Sequence, residues 1–273
     1  MNDSELRELQ MVQLEMMKDI HRVCVSNGLA YYLIGGSALG AVRHKGFIPW
    51  DVDIDIAMPR KDYESFLHGA SKQLNDKLEC LYYMSDKKYF APHILVALKG
   101  SSMVHKVDYL NPHVKRFGIF IDVFPLDFSP EESSLREKQA KALRRLSRIR
   151  YRKLSYKLPT DSKLIMFVKD LIRAFLSVIP MRYVLKRQQE IMQWYDDKPS
   201  SLICSMASHY RYEKQCMPVS VYGKPSLVEF EGCSFYGPEH IDDYLSRIYG
   251  DYMRLPSAQE QQMMKEMFVS AKW

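Results

Sequence analysis

The stretch LIGGSALGAVRHKGFIPWDVDIDIAM, residues 33–58, changes period along its length. Residues 29–34 form a short apolar run rich in strand formers that stops at Gly35-Gly36-Ser37. A helix is expected to begin at Ser37 and to carry Leu39, Ala41 and Val42. Glycines at a strand-to-helix turn let backbone approach a phosphate, and the first amides and a Ser hydroxyl can donate to it. The same turn also occurs as plain structure. Beyond the breaks at Gly46 and Pro49, Asp51, Asp53 and Asp55 alternate with Val52, Ile54 and Ile56. This predicts a strand over 51–58 with one face in the core and one face of carboxylates. Three acids on one face repel one another unless protons or a cation neutralise them. An all-oxygen site of this kind suits Mg2+ or Mn2+, while an edge strand with its acids in water has the same pattern. A calcium loop is excluded, because its Gly and Glu positions hold Ile56 and Asp62.

Helical spacing of Leu6, Leu9, Val12, Met16, Ile20 and Val23 predicts a helix over 4–27, capped by Ser4 or its neighbours Asn2 and Asp3 and stopped at Gly28. Residues 60–74 read as helical, and 93–98 and 118–124 as strands. Between 131 and 195 apolar residues recur at helical spacing among many Lys and Arg, with breaks at Pro159 and Pro180. From about 200 short strand-like runs alternate with turns, and the chain ends in a helix expected over 257–268.

The 273 residues, 47% hydrophobic and 26% charged, can bury a sizeable core and exclude a disordered or repetitive chain. Residues 1–20 lack the apolar core of a secretory signal. The most apolar run, 164–185, is interrupted by Lys169, Asp170, Arg173 and Arg182, short of what a spanning helix needs. Five scattered cysteines with no C-x-x-C spacing argue against a zinc ribbon or redox pair and fit a reducing compartment. A cytoplasmic location is expected. The net charge of +6 is uneven: residues 138–187 hold fifteen Lys or Arg against Asp161 and Asp170, net +13, which leaves the rest at −7. Such a block points to a polyanion or an anionic surface. No nucleic-acid-binding motif accompanies it.

Gly36-Ser37, a helix, then Asp53-Ile54-Asp55-Ile56 resembles the nucleotidyltransferase superfamily signature, whose third carboxylate stands on a later strand. Asp122, amid Phe120, Ile121, Val123 and Phe124, is the candidate, since an acid among such neighbours is costly unless paired or metal-bound. The resemblance narrows with GIFIDVFPLD at 118–127 and YGDYMRLP at 249–256: together with residues 33–58 these are similar to the LicD-type cholinephosphotransferase family. The segments cover under a fifth of the chain, and the basic region between them carries no part of this resemblance. Where the family usually has an acid, this chain has Val52, which by alternation faces away from Asp53 and Asp55.

The resemblance implies an α/β (α+β) fold: a nucleotidyltransferase-like mixed sheet flanked by helices, with a basic helical insertion. Residues 1–130 would form the catalytic core, 131–199 the basic region, and 200–273 a part packing back on the core. It further implies metal-dependent transfer of phosphocholine from CDP-choline to a hydroxyl of a cell-surface glycan or its lipid-linked precursor. Asp53, Asp55 and Asp122, with Asp51 as a fourth candidate, would hold Mg2+ or Mn2+. Gly36 and Ser37 would hold donor phosphate, with Arg43, His44, Lys45 and Trp50 contacting the donor or shaping its loop. Two other classes stay open. One is the same scaffold with another donor, as a nucleotidyltransferase or a transferase of glycerol phosphate or phosphoethanolamine. The other is a binding protein with a dead site. The basic block of 138–187 is expected to meet an anionic membrane surface.

Overall fold

The computed structural model of the chain describes residues 2–105, 117–154, 162–265 and 268–273. Helix α1 (Asp3–Ser26) opens with a capping box, in which the Asn2 side chain accepts from the Glu5 amide and Glu5 reaches back to the Asn2 amide. Its apolar stripe, including Met17, Ile20 and Val23, is fully buried. Then come β1 (Tyr32–Leu33), α2 (Gly35–His44), β2 (Asp55–Pro59), α3 (Arg60–His68), β3 (Leu78–Leu81), β4 (Ile94–Leu98), β5 (Ser102–His105) and β6 (Phe120–Ser129).

The expectation of a mixed sheet flanked by helices is met. Its strands run β1-β2-β6-β4-β3, with β2 and β6 parallel and the other neighbours antiparallel. Two short strands, β7 (Leu202–Cys204) and β8 (Cys216–Pro218), continue the sheet from the far end of β6. The strand expected over 51–58 is shorter. Strand β2 begins at Asp55, because its partner β1 has only two residues and pairs with Ile56 and Ala57. The alternation persists nonetheless: Val52, Ile54 and Ile56 are buried, while Asp51, Asp53 and Asp55 are half-buried.

The basic region is helical: α4 (Ser133–Leu154), α5 (Lys163–Leu176) and α6 (Met181–Met192), with Pro180 as the cap before α6. The expected break at Pro159 lies outside the described residues. Helices α4 and α6 send Leu143, Val184, Leu185 and Ile191 into the interior, whereas α5 buries no residue. The remainder comprises α7 (Tyr212–Gln215), α8 (Val219–Tyr222), the hairpin β9 (Ser226–Phe230) and β10 (Cys233–Gly237), α9 (Ile241–Tyr249), α10 (Ala258–Lys265) and β11 (Phe268–Lys272). The expected terminal helix therefore stops at Lys265, and Phe268 begins a strand that pairs with β5.

One buried polar cluster ties the layers together. Asp127 on β6 is fully buried and takes both ends of the Arg60 guanidinium, Nε at 2.5 Å and Nη2 at 2.9 Å. Arg60 also reaches Glu64 and Gln189, so one side chain joins α3, β6 and α6. Removing one partner of a buried pair leaves an uncompensated charge, so Arg60→Ala is expected to cost about 3–5 kcal/mol in denaturant unfolding.

Asp196 accepts from the Phe128 amide at 2.7 Å on Oδ1, and its Oδ2 is buried without a partner. Burial, then the Asp127 charge, pushes its carboxyl from 3.8 up to about 7. Protonated in the fold and ionised in the unfolded chain, Asp196 contributes stability that is complete below about pH 4 and lost as pH rises through about 7. Asp196→Asn keeps an acceptor for the Phe128 amide and removes the titrating carboxyl. The loss of melting temperature between pH 5 and pH 8, read by calorimetry, should be smaller in this variant than in the parent.

Candidate active site

Strand pairing assembles the site. In the parallel register of β2 and β6, Asp55 lies beside Asp122, and strand spacing sets such neighbours about 4.8 Å apart. Asp53, two residues earlier, shares the Asp55 face. One carboxylate oxygen from each of Asp53, Asp55 and Asp122 lies within 4.8 Å of the other two. Among the described residues no Lys or Arg pairs with Asp51, Asp53 or Asp55. Desolvation, followed by repulsion from neighbouring carboxylates, raises Asp53 and Asp55 well above the ordinary carboxylate range. An all-oxygen set with unbalanced negative charge fits a hard divalent cation. Asp51 stands outside this trio. It takes the Val52 amide on Oδ1, and its carbonyl accepts from Gln10 of α1 at 2.9 Å.

The glycine turn is built around the same acids. Helix α2 starts at Gly35, two residues before the expected Ser37, with Ile34 as its cap. Gly35 has φ +54°, and a Cβ there would lie 3.2 Å from Asp55 Oδ2. A Cβ on Gly36 would lie 2.4 Å from Asp51 Oδ2, closer than real contacts allow. The glycines thus admit carboxylates to the start of a helix, where the dipole favours negative charge. The Ser37 hydroxyl accepts the Asp55 amide at 2.8 Å and fastens the turn to the carboxylate strand.

Sequence reasoning missed His93. Leu95 pairs with Asp122 across β4 and β6, so His93 sits on the same face, diagonal to Asp122. Its Nε2 is 2.6 Å from Asp122 Oδ1, and its ring packs 4.2 Å from that of Phe124. The buried Nδ1 has no partner, which places the proton on Nε2, donating to Asp122.

Beside the carboxylates opens a cleft of about 720 Å³, whose wall includes Gly36, Arg43, Trp50, Asp51, Tyr210 and Tyr249. The segment 249–256 forms its far side, contributing Asp251, Tyr252, Arg254 and Pro256. Arg43 holds that segment by donating to the carbonyls of Tyr252 (3.0 Å) and Arg254 (3.4 Å). Tyr244 of α9 accepts the Gly35 amide at 2.9 Å, joining the C-terminal part to the glycine turn. Of the four donor-contact candidates, Arg43 and Trp50 line the cleft, and His44 and Lys45 do not. His44, held neutral by burial and by Arg43, accepts from Arg43 Nε and meets Trp50 edge-on at 6.0 Å. Lys45 ends α2 at φ 56°, exposed, with its carbonyl accepting the Glu231 amide. The aromatics Tyr210 and Tyr249 gave no signal that separates them from the other sixteen tyrosines.

A family model described as LicD/FKTN/FKRP, nucleotidyltransferase domain, matches residues 28–161. The lipopolysaccharide cholinephosphotransferase LicD of Haemophilus influenzae is 29% identical over 267 residues, 94% of each chain. An uncharacterized protein of Rickettsia typhi is 44% identical over 59 residues, 22% of this chain and 18% of its own. The human ribitol 5-phosphate transferase FKRP is 51% identical over 35 residues, 13% of this chain and 7% of its own.

If the trio holds a cation, Mg2+ or Mn2+ alone should raise the melting temperature, by about 2.7 kcal/mol of stabilisation at a hundred times the dissociation constant. Asp53→Asn and Asp55→Asn should each raise the melting temperature without metal, by relieving repulsion, and lose the metal-dependent increment. An unchanged increment in both variants would remove these residues from the metal set.

Proposed function

The chain is assigned to the LicD family of phosphotransferases, and we propose that it moves phosphocholine, or a similar phospho-alcohol, from a CDP-linked donor to a hydroxyl of a cell-surface glycan or its lipid-linked precursor. The observation that carries this reading is the convergence of Asp53, Asp55 and Asp122 beside a cleft walled by Trp50, Tyr210, Tyr249 and Tyr252. The enzyme works as a peripheral protein on the inner face of the cytoplasmic membrane. No helix among the described residues is long and apolar enough to cross a bilayer.

Asp53, Asp55 and Asp122 would hold Mg2+ or Mn2+, which when bound offsets negative charge on a diphosphate. Arg43 and Arg254 stand on the cleft wall where phosphate oxygens of the donor would lie. The rings suit a quaternary ammonium, which binds aromatic faces, and Asp51, Asp251 and Glu260 add negative potential in the same cleft. In the transfer, an acceptor oxygen forms a bond to the choline-bearing phosphorus as the bond from that phosphorus to the bridging oxygen breaks. CMP leaves with the electron pair. Asp122 orients the acceptor hydroxyl and takes its proton, while His93 fixes one Asp122 oxygen and leaves the other for this work.

The ribitol phosphate transferase among the relatives supports a second reading on the same scaffold, with another phospho-alcohol in place of choline. A screen of CDP-alcohols and nucleoside triphosphates with Mg2+ separates the readings. CDP-choline should raise the melting temperature more than CTP or ATP and should release CMP with a suitable acceptor, and Asp55→Asn should reduce turnover at least about a hundredfold. Equal stabilisation by all three, with pyrophosphate released from CTP, would instead identify a nucleotidyltransferase.

A further inference from the structure

Helix α5 is turned inside out. A helix on a protein surface normally points its apolar stripe at the core, but here Leu164, Phe167, Leu171 and Phe175, spaced three or four apart, point outward, and Val178 just past the helix end is exposed with them. Phe175 is 78% exposed and Val178 80%. Lys169, Asp170 and Arg173 are instead half-buried, with Arg173 3.8 Å from Asp170. On the α4 side Lys153 donates to the Leu176 carbonyl at 2.6 Å, so the helix is moored in this orientation. The apolar positions of the basic region therefore divide: Met166, Ile172, Leu176 and Ile179 are half-buried, while the bulkiest stripe meets solvent.

We propose that α5 lies in the surface of an anionic membrane, with this stripe inserted among the acyl chains and the surrounding arginines on the headgroups. Charge selects the occupant. Arg145, Arg148 and Arg152 of α4 and Arg182 of α6 are exposed, as is Lys163 at the start of α5. The whole block carries +13. Tyr151 and Tyr183 are also exposed, and such rings favour the headgroup level. A second copy of the chain would bring an identical basic rim against this one, and like charges oppose that contact. At 14 residues, about 21 Å, the helix is too short to span a bilayer and long enough to lie along it. The inference deepens the peripheral placement proposed above, and it does not depend on which group is transferred.

The test is flotation of the full chain, without donor, with phosphatidylcholine vesicles that contain or lack phosphatidylglycerol. The chain should float with the anionic vesicles and stay behind with the neutral ones. High salt should weaken binding by screening the charges but leave the apolar share. Phe167→Glu with Phe175→Glu should lower the partition coefficient at least about tenfold, with the melting temperature unchanged because both rings are exposed. Arg148→Glu with Arg152→Glu should lower it on anionic vesicles. Absence of flotation with anionic vesicles, or flotation of the phenylalanine variant as strong as the parent, overturns the proposal. So does a stable dimer in gel filtration that this variant abolishes, because the stripe would then face a second copy. Transfer to a short soluble acceptor should be unchanged in the phenylalanine variant. Flotation without transfer from any CDP-alcohol would refute only the chemical reading, and transfer without flotation only the membrane surface.

Discussion

Everything in this molecule is arranged around carboxylates that repel one another. Asp53 and Asp55 gain nothing from standing beside Asp122, since desolvation and repulsion from neighbouring carboxylates both disfavour their charged forms. They are held by groups that do not neutralise them: the parallel ladder setting Asp55 beside Asp122, the Ser37 hydroxyl on the Asp55 amide, and Gln10 on the Asp51 carbonyl. The energy for this comes from the apolar alternates Val52, Ile54 and Ile56, all driven into the core. The fold therefore stores a charge problem that a cation would relieve. That is the arrangement expected when ligands must be ready before the ion arrives.

Strand β6 carries two acids with opposite fates. Asp122 and Asp127 differ by an odd number of residues, so the pleat sends them to opposite faces of the sheet. Asp127 meets Arg60 in the interior and becomes part of the frame, while Asp122 joins Asp53 and Asp55 and meets His93. A motif containing both is thus half structural and half chemical, and strand parity separates the halves.

That division marks what could be read from the sequence. The alternation of 51–56 was legible because one side of it is purely apolar, and the core face was right even though regular pairing begins only at Asp55. Asp122 was legible for the same reason, an acid framed by aromatic and branched residues. His93 was not, because its meeting with Asp122 depends on the register of β4 against β6, a long-range fact with no local trace. Lys45 was read as contacting the donor or shaping its loop, and its place in the fold is the left-handed residue that closes α2. Its charge is read locally, but its position is set by the Glu231 hairpin. The terminal helix overran by three residues because β5 offers Phe268 a strand partner at His105, 163 residues earlier in the sequence, and pairing outweighed local propensity.

The C-terminal segment 249–256 gains its meaning the same way. Alone it is a turn at the end of α9, with Gly250 at φ +73° and the Asp251 carbonyl accepting the Arg254 amide. In the fold its carbonyls are held by Arg43, while Tyr244 of the preceding helix takes the Gly35 amide. Both anchors belong to the first motif, so the cleft exists only when the two ends of the chain have met. Any ligand that bridges the carboxylates and this wall must therefore bind the complete fold. Such binding would reinforce the hydrogen bonds that tie α2 to α9 and to the segment after it.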